Sequence, residues 1–136
     1  MKLNAALLAL LAALCAAPAV AADCRWREPE RTYRTGARWS CVSTFTVDGE
    51  TLQARCEGQP GTISIRLRGV NTDERDQPRF EAARAELRRR TADRPLVVVP
   101  HHDSYRRVVA DVLAGGADVG RAMDAAGWSK ADCPKR

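Results

Sequence analysis

Three charged residues at two separated places in the sequence carry the groups that hydrolysis of a phosphodiester would require. Arg66 and Glu74 lie in the segment RLRGVNTDE, and Arg107 ends the segment DSYRR. A guanidinium binds phosphate oxygens as a planar fork, and a carboxylate can orient or deprotonate a water molecule. One such set is common in an arginine-rich chain, so its meaning depends on the elements that position it.

Upstream of Arg66 the apolar residues follow the period-two pattern of a half-buried strand. Trp39, Cys41, Phe45 and Val47 are predicted to share one face. The following segment, Val47-Asp48-Gly49-Glu50-Thr51, indicates a tight turn. If Asp48 and Gly49 are the two central residues of a hairpin turn, residues whose numbers sum to 97 face each other. Leu52, Ala54 and Cys56 then lie on the same face as the first set.

The rest of the pattern predicts three further strands and at least two helices. A third strand, Ile63–Leu67, places Arg66 on the face opposite its apolar residues. We expect a helix from Pro78 to about Thr91, strands at 95–100 and 106–113, and a second helix that Asp118 caps and Gly127 ends. This order suits an α+β, mainly β fold, a five-stranded barrel of the oligonucleotide-binding (OB-fold) type with two to three packed helices. Composition alone does not distinguish it from another small α+β fold.

The N-terminus is typical of a secretion signal. Lys2 is the basic start, Leu7–Ala17 is apolar, and Ala19–Ala22 offers small residues for cleavage. The apolar run is shorter than the ~20 residues that a membrane helix needs. A lipid anchor on Cys15 is disfavoured by the bulky Leu14 before it. The sequence therefore predicts a periplasmic or secreted protein with a signal peptide at 1–22, a lead-in at 23–42 and one domain at 43–133.

Four of the five cysteines lie beyond the predicted signal, and an even number in an exported chain argues for disulfides. The residue numbers of Cys41 and Cys56 sum to 97, so these two cysteines face each other in the hairpin register and are predicted to form a disulfide. Cys24 and Cys133 would then join the two ends of the mature chain. A metal site is the alternative, but no CxxC or CxxH spacing supports one.

The charge balance suits an anionic partner without demanding one. The formal net charge is +5 and falls to +4 when the signal with its Lys2 is removed. Nineteen of the 22 basic residues are arginine, and they are spread along the chain. Arg88-Arg89-Arg90 is predicted to be a solvated helix face. His101-His102 is predicted to be a solvated loop pair.

Several short segments, in order and at a particular spacing, resemble a known family. They are VDGET at 47–51, IRL at 65–67 running into VNTDE at 70–74, EAA at 81–83, DSYRRVVA at 103–110, and the final segment 119–127. Together they are similar to the staphylococcal nuclease (thermonuclease-like) family over roughly Ser43 to Ala131. The resemblance implies a five-stranded barrel with packed helices and calcium-dependent cleavage of DNA and RNA.

The resemblance also implies roles for individual residues. Arg66 and Arg107 match the two phosphate-binding arginines, and Glu74 matches the carboxylate that positions or activates the attacking water. Glu50 and Asn71 fall where the family has two calcium-binding aspartates, and Thr72 falls beside them as a carbonyl ligand. The chain departs from the family at both aspartates, and calcium affinity falls as carboxylates are removed.

Three hypotheses from different classes follow. The first is an exported, monomeric nuclease that uses Ca²⁺ and has nucleic acid as its partner. The second is a barrel that binds nucleic acid or another polyanion without cutting it, which the replacements Glu50 and Asn71 favour. The third is a disulfide-stabilised periplasmic interaction module with neither property. The first is the leading prediction.

Overall fold

The computed structural model describes residues 31–130, which form a small barrel with two helices beside it. The strands are β1 (Trp39–Thr46), β2 (Thr51–Cys56), β3 (Thr62–Leu67), β4 (Pro95–Ser104), β5 (Arg107–Ala114) and the short β6 (Ala117–Asp118). The helices are α1 (Phe80–Thr91) and α2 (Val119–Ala125). The predicted fold class is confirmed: the protein is mainly β, with the two helices expected.

The sheet closes on itself into a barrel. Neighbouring strands run in the order β3-β2-β1-β4-β5-β6, and β3 also pairs with β5. This closing pair is parallel, with Ile65 opposite Val108, Arg66 opposite Val109 and Leu67 opposite Ala110. All other strand pairs are antiparallel. The closure leaves the first five strands without a long exposed edge, apart from the second half of β1 described below.

The core consists of the inward-facing aliphatic residues of this barrel. Its largest fully buried side chains include Leu52, Ile65, Leu67, Leu96 and Val98 from the strands. Leu87 from α1 and Met123 from α2 are also fully buried. The predicted apolar stripe of α1 is confirmed, since Phe80, Ala83 and Leu87 are all buried. The helix begins two residues later than predicted, at Phe80.

The register of the first hairpin is as predicted at one end and shifted at the other. Cys41 faces Cys56 and Ser43 faces Ala54, but Phe45 faces Gln53 because a β-bulge lies between Ser43 and Phe45. An extra residue in one strand reverses the faces beyond it. Thr46 is therefore buried, whereas Phe45 is 51% exposed. The prediction that Phe45 lies on the core face was wrong.

Cys41 and Cys56 form the predicted disulfide, and both residues are buried. The other proposed pair, Cys24–Cys133, lies outside the described residues, as does the predicted signal peptide.

Replacing Cys41 by serine should leave one free thiol on Cys56 and destabilise the protein by roughly 3 kcal/mol. The disulfide joins residues 15 apart in sequence, and a loop of this length restricts the unfolded chain by about that amount. Thiol titration of the unfolded variant, with identification of the labelled peptide, and urea denaturation would measure both effects. A free thiol on Cys24 or Cys133 instead of Cys56 would contradict the pairing.

The segment before β1 packs on the barrel. Thr32 forms a β-bridge with His102, and the Tyr33 hydroxyl donates a hydrogen bond of 2.7 Å to Asp103 Oδ1. The Tyr33 ring meets Trp39 edge to face, with 5.3 Å between ring centroids. Burial and the bond to Asp103 raise the pKa of Tyr33 to about 12. In the part of the chain from 31 to 130, neither helix has the length and apolarity needed to cross a membrane.

Candidate functional site

The loop between β1 and β2 is built around the side chain of Asp48. Its Oδ1 accepts hydrogen bonds from the backbone N–H groups of Glu50 and Thr51, at 2.8 and 2.7 Å. The N–H groups of Val47 and Asp48 both donate to the carbonyl of Thr51. The connection therefore has four residues, 47–50, and is an Asx-type turn. The two-residue turn predicted from Asp48-Gly49 was wrong, because the aspartate side chain supplies the acceptor that a tighter backbone turn would need.

Gly49 holds this loop against α1 and the segment that follows β3. A Cβ atom at Gly49 would lie 2.7 Å from the Cβ of Ala83 and 2.7 Å from the Oγ1 of Thr72. No larger residue fits without displacing one of these neighbours. The close approach fixes where the next residue, Glu50, enters the protein.

Glu50 forms a buried ion pair with Arg66. Its Oε1 lies 3.1 Å from Arg66 Nη2, and its Oε2 accepts a 2.7 Å hydrogen bond from the backbone N–H of Thr72. The exposed fractions of the two side chains are 11% for Arg66 and 9% for Glu50. The same guanidinium donates through Nη1 to the carbonyl of Leu67 at 2.8 Å. Both carboxylate oxygens of Glu50 are thus engaged.

The electrostatics around Glu50 connect it to a third acidic residue. Burial raises the pKa of Glu50, and the positive charge of Arg66 and the Thr72 N–H oppose that rise. The negative charges of Asp48 and Glu74 raise this pKa further. The structure therefore brings Glu50, Arg66 and Thr72 into contact, and Glu74 lies within electrostatic reach of them.

Glu74 is exposed and is positioned by its backbone. Its N–H donates to Gln77 Oε1 at 2.7 Å, and its carbonyl accepts from the N–H of Gln77 at 2.8 Å. The turn formed by these two bonds presents the Glu74 side chain to solvent. This is the position that a carboxylate acting on a bound water would need.

Arg107 is the first residue of β5 and shares a face of the sheet with Arg66. It follows a turn in which Tyr105 and Arg106 have φ angles of 51° and 62°. Arg106 lies in this turn and not in the strand where it was predicted. Because Arg66 is opposite Val109 in the parallel pair, Arg107, two residues before Val109, points to the same side. Strand spacing places the Cα atoms of the two arginines roughly 8 Å apart.

The residues predicted to hold calcium all have partners within the protein. Within residues 31–130 no three His, Cys, Asp or Glu side chains cluster closely enough to bind a metal ion. The carbonyl of Asn71 accepts a hydrogen bond from the N–H of Lys130 at 2.7 Å, and its N–H donates to Ser129 Oγ at 3.0 Å. Thr72 is buried beneath Gly49. Each oxygen of Glu50 has one protein partner and a further lone pair, so a cation at Glu50 would share these oxygens with Arg66 and the Thr72 N–H.

Two residues near the site have structural partners. Asp73 is buried and accepts from the N–H of Arg79, the residue before α1, at 3.0 Å. Its second oxygen lies 3.4 Å from Arg79 Nη2. Trp128 packs on the core with Arg79 over its ring, as expected for a core residue.

An ion cluster that the sequence did not predict lies beside the candidate site. Asp111 accepts two hydrogen bonds from Arg68, at 2.9 and 3.1 Å, and its Oδ2 lies 2.8 Å from His101 Nε2. The two partners lower the pKa of Asp111 against the effect of burial. His101 and His102 belong to β4, so the prediction of a solvated loop pair was wrong. The acidic partner of His101 is ten residues away and becomes its neighbour through the β4–β5 pairing.

No protein-family model matches this sequence, and no curated protein matches it either. The structure supports the predicted fold. Because no match identifies a family, the resemblance to the staphylococcal nuclease family remains a prediction. Any function must be inferred from the residues around Glu50, Arg66, Glu74 and Arg107.

Proposed function

We propose that the protein is an exported nuclease that hydrolyses phosphodiester bonds of DNA, RNA or both. The observation that supports this most is the Glu50–Arg66 ion pair, which lies within electrostatic reach of Glu74 and has Arg107 on the same face of the closing strand pair. These residues come from four different segments of the chain. The disulfide agrees with an oxidising compartment, the periplasm or the extracellular space.

In the proposed reaction the two arginines bind the phosphate that is attacked. Charge grows on the phosphate oxygens as water adds, and cations fixed in place before the reaction stabilise that charge. Among residues 31–130, two of the five N–H donors of Arg66 have partners, namely Glu50 and the carbonyl of Leu67. The guanidinium is held rigidly by these bonds while donors remain for a phosphate oxygen.

Glu74 is proposed to orient or deprotonate the attacking water. Glu74 is exposed and lies within electrostatic reach of the buried Glu50–Arg66 pair. Negative charge from Glu50 is balanced by Arg66, so Glu74 remains the accessible carboxylate of the set. General base catalysis by a positioned carboxylate contributes about 10²–10⁴-fold to a rate.

The predicted calcium ion would supply a positive charge next to the phosphate and would acidify or orient the water. Glu50, Asn71 and Thr72 are the residues proposed to hold it. In the arrangement described above, both oxygens of Glu50 already have partners. The same observation favours a second candidate, a protein that binds nucleic acid or another polyanion through Arg66 and Arg107 without cutting it.

Wild-type protein is expected to cleave single-stranded DNA with calcium present and to lose this activity with a chelator. Arg107→Ala should reduce cleavage at least tenfold, because it removes one phosphate-binding cation. Arg55→Ala is the matched control, since Arg55 is an exposed arginine on β2, away from the site. Parallel reactions with magnesium and manganese would identify the preferred ion.

Cleavage that persists in chelator would show that no dissociable metal is needed. Binding without cleavage under every ion, by folded protein, would support the second candidate. Equal cleavage by wild type and Arg107→Ala would overturn the assigned role of Arg107.

A further inference from the structure

A basic groove lies between the second half of β1 and helix α1. It has a volume of about 740 Å³ and is lined on one side by residues 43–46 of β1. The other side consists of residues of α1 and the turn after it, namely Glu81, Arg84, Ala85, Arg88, Arg89, Ala92 and Asp93. None of the residues assigned to phosphate binding or catalysis lines this groove.

The groove lies beside the second half of β1, which has no β4 residue paired with it. Only the first half of β1, Trp39–Val42, pairs with β4. The bulge after Ser43 turns the second half away and exposes Phe45. Helix α1 takes the place of a neighbouring strand, and Arg84 Nε donates to the carbonyl of Thr46 at 3.0 Å. The gap between strand and helix is therefore maintained by specific contacts.

The chemistry of the groove combines an exposed aromatic ring with cationic side chains. The guanidinium of Arg84 lies 5.4 Å from the centroid of the Phe45 ring. Arg88 is exposed and makes no ion pair or side-chain hydrogen bond within residues 31–130. Arg89 is held by Glu86 at 2.7 Å, and Arg84 lies 3.6 Å from Glu81. Arg88 is thus the cation that can take a new anionic partner without losing another.

We propose that this groove binds a single-stranded segment of nucleic acid next to the candidate site. A base stacks on Phe45, and Arg88 and Arg84 contact adjacent phosphates. Aromatic platforms flanked by basic residues are the usual way in which proteins hold single strands without reading their sequence. The proposal rests on the proposed function, because it supplies the flanking contacts of the same substrate.

The groove and the candidate site are close enough to share one strand. Thr46, at the end of the groove, is four residues from Glu50 in the loop that Gly49 packs against α1. Even a fully extended chain would place these two residues at most ~14 Å apart. A strand bound at Arg66 and Arg107 can therefore continue toward Phe45, whereas a dinucleotide has one internucleotide phosphate and is too short to occupy both places.

The test is fluorescence anisotropy with labelled oligothymidylates of two and of sixteen nucleotides, in chelator so that no cleavage occurs. Phe45→Ala and Arg88→Ala should each weaken binding of the longer strand about tenfold, the value of one stacked base or one phosphate contact. Binding of the dinucleotide should stay unchanged. Val42→Ala, another exposed apolar residue of β1, and Arg55→Ala are the matched controls.

The outcomes separate this proposal from the proposed function. If both groove variants bind the longer strand normally and Arg107→Ala binds it more weakly, the proposed role of the groove is wrong and the proposed site stands. If the groove variants bind it more weakly and Arg107→Ala binds it normally, the role of the groove is supported and that of the proposed site is wrong. Tighter, Phe45-dependent binding of a labelled oligoglutamate than of the nucleic acid would replace the proposed occupant by an acidic peptide.

Discussion

Replacing Glu74 by glutamine is expected to lower the rate of DNA cleavage by about 10²–10⁴-fold, the usual contribution of a general base. Glutamine keeps the size of the side chain and can still accept a hydrogen bond, but it cannot take a proton. Glu74 is exposed, and its structural bonds are made by its backbone. The variant should therefore fold as stably as the wild type and bind single-stranded DNA at least as tightly.

Initial rates of oligonucleotide cleavage would measure catalysis, and fluorescence anisotropy of the same oligonucleotide in chelator would measure binding. Glu57→Gln is the matched control, since Glu57 is an exposed glutamate in the turn after β2. Wild-type cleavage by Glu74→Gln would remove Glu74 from the mechanism. Wild-type protein that binds but does not cut would make the polyanion-binding candidate the better description of the protein.

Replacing Arg66 by methionine is expected to destabilise the protein by about 3–5 kcal/mol, the cost of leaving one member of a buried ion pair alone. Glu50 would keep the Thr72 N–H but would lose the cation 3.1 Å from its Oε1. The double variant Glu50→Gln/Arg66→Met should recover much of this loss, because it removes the unpaired charge. Urea denaturation of the wild type and of the single and double variants measures each difference.

The loss of stability in Arg66→Met should increase with pH. Burial already raises the pKa of Glu50 above its ordinary value of 4.5, and Arg66 opposes that rise. Without Arg66 the pKa of Glu50 in the folded protein rises further, so the folded state holds this proton more tightly than the unfolded state. Stability then falls as the pH rises above 4.5 and through the folded pKa. The deficit should be larger at about pH 8 than at about pH 5, and a deficit independent of pH would contradict this account.

The sequence predicted the barrel because its strongest signals are local and agree with one another. Alternation of apolar residues, the Cys41–Cys56 pair and the cap at Asp118 each predict an element that the structure contains. The apolar face of α1 follows from the same kind of pattern. These features depend on residues a few positions apart, where periodicity is informative.

The errors arise where a side chain or a distant strand decides the outcome. Asp48 accepts hydrogen bonds from two backbone N–H groups and so lengthens the turn. The bulge after Ser43 exposes Phe45. The pairing of β4 with β5 brings Asp111 to His101, which no local pattern indicates. The burial of Arg66 was also not predicted, because alternation assigns a face of the strand and does not show what covers that face.

The parallel pairing of β3 with β5 has a consequence for biosynthesis. It joins residues 43 apart in sequence, such as Ile65 and Val108, and bringing distant residues together costs more chain entropy than forming local contacts. Arg66 and Arg107 are neighbours only once this pair has formed. A chain that is still being synthesised, or that is unfolded during transport, therefore holds no pair of arginines in position. Under the proposed function, the unfolded chain would be inactive and would not cleave the nucleic acids of the cell that makes it.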